Sequence, residues 1–124
     1  MTYPINTFKS EVFRSISSNA LAPQAITIDI PVGGYALILG LTIANKSTTP
    51  RYINLTLKKS GAVESGFILY NVALPSETSF QAIDGDKMVI ERGDVLETWG
   101  DVESNGNLDL VVSYVVYAPP GAIV

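Results

Sequence analysis

Residues 25–43 read AITIDIPVGGYALILGLTI, two apolar runs divided by a proline and a pair of glycines. In the first run Ile26, Ile28 and Ile30 fall on one side of an extended chain and Thr27 and Asp29 on the other. Ala25 to Ile30 therefore reads as a strand, closed by Pro31, which has no N–H to give to a ladder. Gly33-Gly34 supplies a turn. The second run puts Leu37, Leu39, Leu41 and Ile43 on one face and Ala36, Ile38, Gly40 and Thr42 on the other, a period of two with no helical spacing.

The same rhythm extends in both directions. Glu11 to Ser17 alternates loosely and reads as an edge strand, with a helical turn over Ser10 to Ile16 as the alternative. Beyond the polar turn Asn45 to Pro50, Ile53, Leu55 and Leu57 alternate with Asn54, Thr56 and Lys58, and this run is expected to form a hairpin with the one before it. Phe67 to Leu74 is apolar on both faces and stops at Pro75. Thr78 to Ile83 and Lys87 to Glu91 flank Asp84-Gly85, a dipeptide suited to a tight hairpin, and Arg92-Gly93-Asp94 turns into Val95 to Trp99. Asn105-Gly106 offers another turn before Leu108 to Tyr117, where Asp109, Val111, Ser113, Val115 and Tyr117 share one face. Water alone would not call for two valines and a tyrosine there. About eight strands with connections of this length predict an all-β antiparallel sandwich of the jelly-roll kind. The expected division is an N-terminal arm at 1–10, the sandwich at 11–118 and a tail at 119–124.

Composition narrows the chemistry. The 124 residues include no cysteine and no histidine, which removes disulfides, thiolate metal sites, the usual general base near neutral pH and the commonest transition-metal ligand. Net charge is −4 with scattered cations, so no surface is suggested for tracking a nucleic-acid backbone. Apolar residues make up 47% and charged ones 16%, an apolar balance for a small domain that implies contact with another chain. The mean hydropathy of +0.27 agrees. Neither a signal peptide nor an apolar run long enough for a membrane helix is read.

No motif rises to a catalytic site. Asp84, Asp86, Glu91, Asp94, Glu97, Asp101 and Glu103 match no EF-hand spacing and read as solvated turn-tip carboxylates. Arg92-Gly93-Asp94 resembles the integrin-binding tripeptide but reads as a turn. Asn45-Lys46-Ser47 and Asn54-Leu55-Thr56 fit the glycosylation sequon and are set aside for want of a secretory signal. There is no G-x-S-x-G elbow, no P-loop lysine and no dinucleotide fingerprint. The expectation is a chain that is not an enzyme and needs no cofactor and no metal.

Four pieces, TIDIPVGGYALILGLTIANKS at 27–47, YNVALPSETSF at 70–80, DGDKMVIERGDVLETWG at 84–100 and LDLVVSYVVY at 108–117, occur in an order that resembles small virion structural proteins of tailed bacteriophages, those of marine and cyanobacterial hosts among them. Ile30-Pro31-Val32-Gly33 departs in detail from the turn of that group, and Pro119-Pro120 runs past its usual end. The resemblance implies a non-enzymatic β-sandwich assembled onto a phage particle in the host cytoplasm, as a head decoration or as a neck or tail accessory. Its partners would be further copies of itself, in a homotrimer or ring, and other virion proteins. It carries over no catalytic residues.

Two functional surfaces are expected. One is a self-association interface comprising Phe67, Leu69, Val111, Val115, Tyr117, Ile123 and Val124. The other, belonging to an alternative reading as a carbohydrate-binding module for host attachment, is an aromatic platform at Trp99 with Asp101 and Asn105 beside it.

Overall fold

A computed structural model describes residues 5–14, 16, 21–101 and 107–120. Among these residues there are eight strands: β1 (Ile5–Phe13), β2 (Gln24–Ile26), β3 (Tyr35–Asn45), β4 (Arg51–Lys58), β5 (Gly66–Leu74), β6 (Thr78–Glu91), β7 (Val95–Gly100) and β8 (Leu108–Ala118). They form two four-stranded sheets, ordered β1-β8-β3-β6 and β2-β7-β4-β5. Every strand pair is antiparallel. Successive strands change sheet at every connection except β4 to β5, and the last strand lies between the first and the third. That interleaving is the jelly roll, and the expected β-sandwich is what the chain adopts.

The alternation of side chains produces the core. Leu108, Leu110, Val112, Tyr114 and Val116 of β8 point inward and are buried, as are Ile53 and Leu55 of β4 and Leu96 of β7. A bulge interrupts the simple period of β3. Ile38 pairs with Tyr114 and Gly40 with Ser113, so Leu39 is one residue too many and the faces of β3 exchange there. Ala36 and Ile38 are buried before the bulge, Leu41 and Ile43 after it. The uninterrupted alternation expected for Tyr35 to Ile43 is corrected accordingly.

Other expectations are also corrected. The first strand begins at Ile5, not Glu11: residues 5–10, read as part of an arm, pair with β8 from Ile5↔Ala118 onward, and the strand ends at Phe13. Ile16 lies buried beyond it, its N–H donating to the Leu108 carbonyl at 2.9 Å. β3 and β4 do not make a hairpin, because the polar turn between them carries the chain from one sheet to the other. Asp84-Gly85 is no hairpin either. β6 runs through it and stays paired with β3, the extra residues being taken up between Ile38↔Met88 and Gly40↔Asp84. Ala25 to Ile30 keeps its alternation, with Ile26 buried and Thr27 and Asp29 exposed, yet only Gln24–Ile26 is laddered. Asn105-Gly106 lies outside the described residues.

The turns that were expected are made as the residues dictate. Gly34 N–H donates to Pro31 O at 2.9 Å and Gly33 takes φ +80°, a backbone that side chains with a Cβ rarely adopt. A Cβ on Gly34 would sit 2.4 Å from Tyr117 O, so the second glycine lets the turn press on β8. At the crossing from β3 to β4, Asn45 donates to the carbonyls of Thr49, Leu74 and Pro75 at 3.1 Å each, while its Oδ1 accepts from Ser47 N at 3.0 Å and Ser47 Oγ at 2.9 Å. One buried amide thereby ties both chain crossings at that end of the sandwich.

Candidate interaction surface

The outward side chains of β1-β8-β3-β6 form rows set by the strand register. Phe8 pairs with Val115, Val115 with Leu37 and Leu37 with Val89, so one apolar side chain from each of the four strands lies in a single row. Phe8 is 74% exposed and Val89 48%. On one side of this row Tyr35 stacks on Tyr117, ring centroids 5.0 Å apart and planes at 23°. On the other side, beyond Ser10 and Ser113, Val12 pairs with Val111, and both are exposed. The bulge at Leu39 keeps a large apolar side chain on this face, where an open depression of about 300 Å³ is lined by Phe8, Ser10, Leu39 and Ser113 together with Lys9 and Tyr114.

Among the described side chains in the outward rows of this sheet the charged ones are Asp109 and Glu91, at opposite ends. Asp109 accepts from Lys46 at 3.1 Å and Glu91 from Lys59 at 3.3 Å.

The outer face of the second sheet is different. Phe67 meets Tyr70 edge-on at 4.9 Å and Trp99 at 6.0 Å and 65°, so the three rings make an angled cluster, not a flat platform. A bulge sets it up: β5 spends Tyr70 and Asn71 opposite Asn54 alone, between Leu55↔Leu69 and Ile53↔Val72. Asn71 adopts φ +46°, held by Asn54, whose Nδ2 donates to Asn71 Oδ1 at 3.1 Å and whose Oδ1 accepts from Asn71 N at 2.9 Å.

The expected site residues thus divide. Val111, Val115 and Tyr117 share the first face, whereas Phe67 lies on the opposite side of the molecule. Leu69 is part of the core, 9% exposed, and is withdrawn from any contact surface. Ile123 and Val124 lie outside the described residues. Trp99 is half-buried beside Phe67; Asp101 is tied into the end of the sheet, its N–H donating to Tyr52 O at 3.1 Å and its Oδ2 accepting from Tyr52 N at 3.3 Å. Asn105 lies outside the described residues. Phe8, Val12, Leu37, Leu39 and Val89 were not anticipated. Phe8 was hidden by reading residues 1–10 as an arm, Val12 by the loose alternation of the edge strand read from Glu11, and Leu37 and Leu39 by the bulge. The two-residue alternation of Met88, Val89 and Ile90 was the available signal for Val89.

Among the described residues no group of three acidic side chains could hold a metal ion. Asp94 of Arg92-Gly93-Asp94 is turned inward. Its Oδ2 accepts from Glu91 N at 2.8 Å and from Lys59 Nζ at 2.5 Å, and its Oδ1 accepts from Ser60 N at 2.8 Å. Burial works against its charge, but these bonds from Lys59 and the backbone outweigh it and hold the carboxyl below its usual range. Gly93 at φ +90° completes the turn. The carboxylate is therefore a strut between loops and not an exposed ligand. Asn45 and Asn54, the two sequon asparagines, are buried and engaged in the bonds given above.

Comparison with known proteins gives fold relatives only. No protein-family model matches the chain, and no curated protein matches it. It is similar to a chain from the structure of Bacillus endospore appendages, described as disulfide-linked pili, with a TM-score of 0.50 and 14% identity over 96% of this chain and 91% of that one. It also resembles part of a chain of the T13 IBDV viral particle, with a TM-score of 0.46 and 12% identity over 94% of this chain and 31% of that one. For the infectious bursal disease virus Gx strain the TM-score is 0.38 and the identity 13%, over 98% and 35%. At 14% identity the first likeness speaks to the fold alone.

Proposed function

We propose that the chain is a non-enzymatic structural subunit that self-associates within a particle or fibre, and that the particle is a tailed-bacteriophage virion carrying it as a head decoration or as a neck or tail accessory. The observation that carries the reading is the uncharged apolar row Phe8–Val115–Leu37–Val89 on a sheet face that the fold leaves open. A jelly roll covers only the inner face of each sheet, and an outer face meant for water would carry charges where these residues stand. The similar fold in Bacillus endospore appendages shows that such a sandwich is compatible with filament building. Those pili are disulfide-linked, a device closed to a chain without cysteine, so assembly here rests on noncovalent burial. The phage assignment comes from the motif order at 27–47, 70–80, 84–100 and 108–117.

Negative-stain electron microscopy of the purified chain over a concentration series tests the reading. Regular rings, lattices or fibres are expected as concentration rises. Uniform small particles at every concentration, together with a monomeric mass, would refute it.

A second reading has its own observation. Phe67, Tyr70 and Trp99 expose aromatic surface beside the Asn54–Asn71 amide pair, an arrangement suited to stacking against a sugar ring and hydrogen-bonding its hydroxyls. It predicts saturable binding on a glycan array that Trp99→Ala abolishes without unfolding the protein. A blank array removes it.

A further inference from the structure

The outer face of the β1-β8-β3-β6 sheet carries a more specific conclusion. We infer that this face packs against the same face of a second copy of the chain, sheet upon sheet, with the row Phe8–Val115–Leu37–Val89 and the pair Val12–Val111 in the interface core. The inference rests on the self-association reading and adds the surface and the partner to it.

The area suffices. From Asp109 to Tyr117 the face is about 27 Å long at about 3.4 Å per residue, and four strands at about 4.8 Å make it about 19 Å wide. Two such faces bury about 1,000 Å² together, the lower bound for a specific protein interface. The composition is that of an interface core, with aromatic and branched apolar residues at the centre and charge at the margin.

Charge selects a second copy as the occupant. The chain carries a net charge of −4, so copies repel one another over most of their surface. In the outward rows of this face the described charges are Asp109 and Glu91, each already paired with a lysine, with the exposed Lys9 at the β1 edge beside the depression, and repulsion between copies is weakest there. A face packing on itself also needs no complementary partner surface, since a two-fold axis supplies it. The serines keep the middle of the face narrow: Ser113 stands over Gly40, where a Cβ would lie 3.3 Å from Ser113 Oγ, and the depression beside it accepts the protruding Phe8 or Val89 of the other copy.

The absence of native cysteine makes the test clean, because one introduced thiol reports alone. Ser113→Cys sits at the middle of the face, close to the two-fold axis however that axis runs. Val95→Cys is exposed on the other sheet and serves as the control. With a short bis-maleimide, Ser113→Cys is expected to give roughly tenfold more covalent dimer than Val95→Cys, a difference matching the local concentration that a specific contact imposes. Equal or preferred linking at Val95→Cys, with a dimeric or larger native mass, overturns the assigned face and leaves self-association standing. No linking at either position, with a monomeric native mass throughout, overturns the assigned face and the assembly reading together.

Discussion

Tyr114 shows how much one side chain reports about this sandwich. It points inward from β8, is 2% exposed and donates its hydroxyl to Glu11 Oε1 at 2.8 Å. Burial first, then the Glu11 carboxylate, pushes the phenol up from 10.0 to about 12. A group whose folded pKa lies above its unfolded one stabilises the fold below the unfolded value and loses that contribution as pH rises through the folded one. The denaturation midpoint in urea should therefore fall between pH 10 and 12, where the unfolded phenol ionises first. Tyr114→Phe, with no proton to lose, should show a flatter decline across that window. Equal slopes for the two proteins would contradict the burial of the hydroxyl. Residue types told part of this story in advance, since Tyr114 falls on the apolar side of Leu108 to Tyr117. Its partner did not show, because Glu11 was placed at the start of an edge strand, and a register between residues 103 positions apart leaves no local trace.

Among the elements, β1 separates two accounts of the N-terminus. As an arm, residues 1–10 would be dispensable to folding. As a strand, residues 5–10 satisfy the β8 edge from Ala118 to Ser113 and lay Phe8 across Val115. Removing residues 2–10 should expose that edge and abolish the cooperative thermal transition, followed by circular dichroism. Retention of a sharp transition at the original temperature would restore the arm. The strand was hard to read because INTFKSEVF mixes Lys9, Ser10 and Glu11 with its apolar residues, as an edge strand with one wet margin does. By contrast, β8 declared itself, because its inward residues Leu108, Leu110, Val112, Tyr114 and Val116 alternate strictly and its outward side still carries Val111, Val115 and Tyr117. Bulges were the other blind spot. Gly40 and Asn71 are small or turn-prone residues inside strands, which signals a bulge, but which partner gains the extra residue depends on the neighbouring strand. For that reason β3 was assigned a single face, and the continuous β6 was divided at Asp84-Gly85.

For the whole molecule, the strand rhythm foretold the sandwich, while the pairing of β3 with β8 and β6, and not with β4, follows from a topology in which all but one connection changes sheet. The surface was half legible for the same reason. Val111, Val115 and Tyr117 stood out within one strand, but the row they belong to exists only once β1, β3 and β6 are laid beside β8. The sandwich also carries two unlike outer faces, one with a four-strand apolar row beside the Tyr35–Tyr117 stack and the other with the angled cluster of Phe67, Tyr70 and Trp99, pointing in opposite directions. A copy paired through the first face, as proposed, would leave the second face free for other contacts.

The most direct measurement is the mass of the chain by sedimentation velocity over a wide concentration range, beside that of Val115→Lys. The substitution lies on the solvent side of β8 and leaves the core intact, but it would bury an unpaired ammonium between two copies. The account predicts a dimer or larger species for the original chain and a dissociation constant weaker by on the order of 100-fold for the variant, with unchanged circular dichroism. A variant that associates as strongly as the original would contradict the assignment of this face.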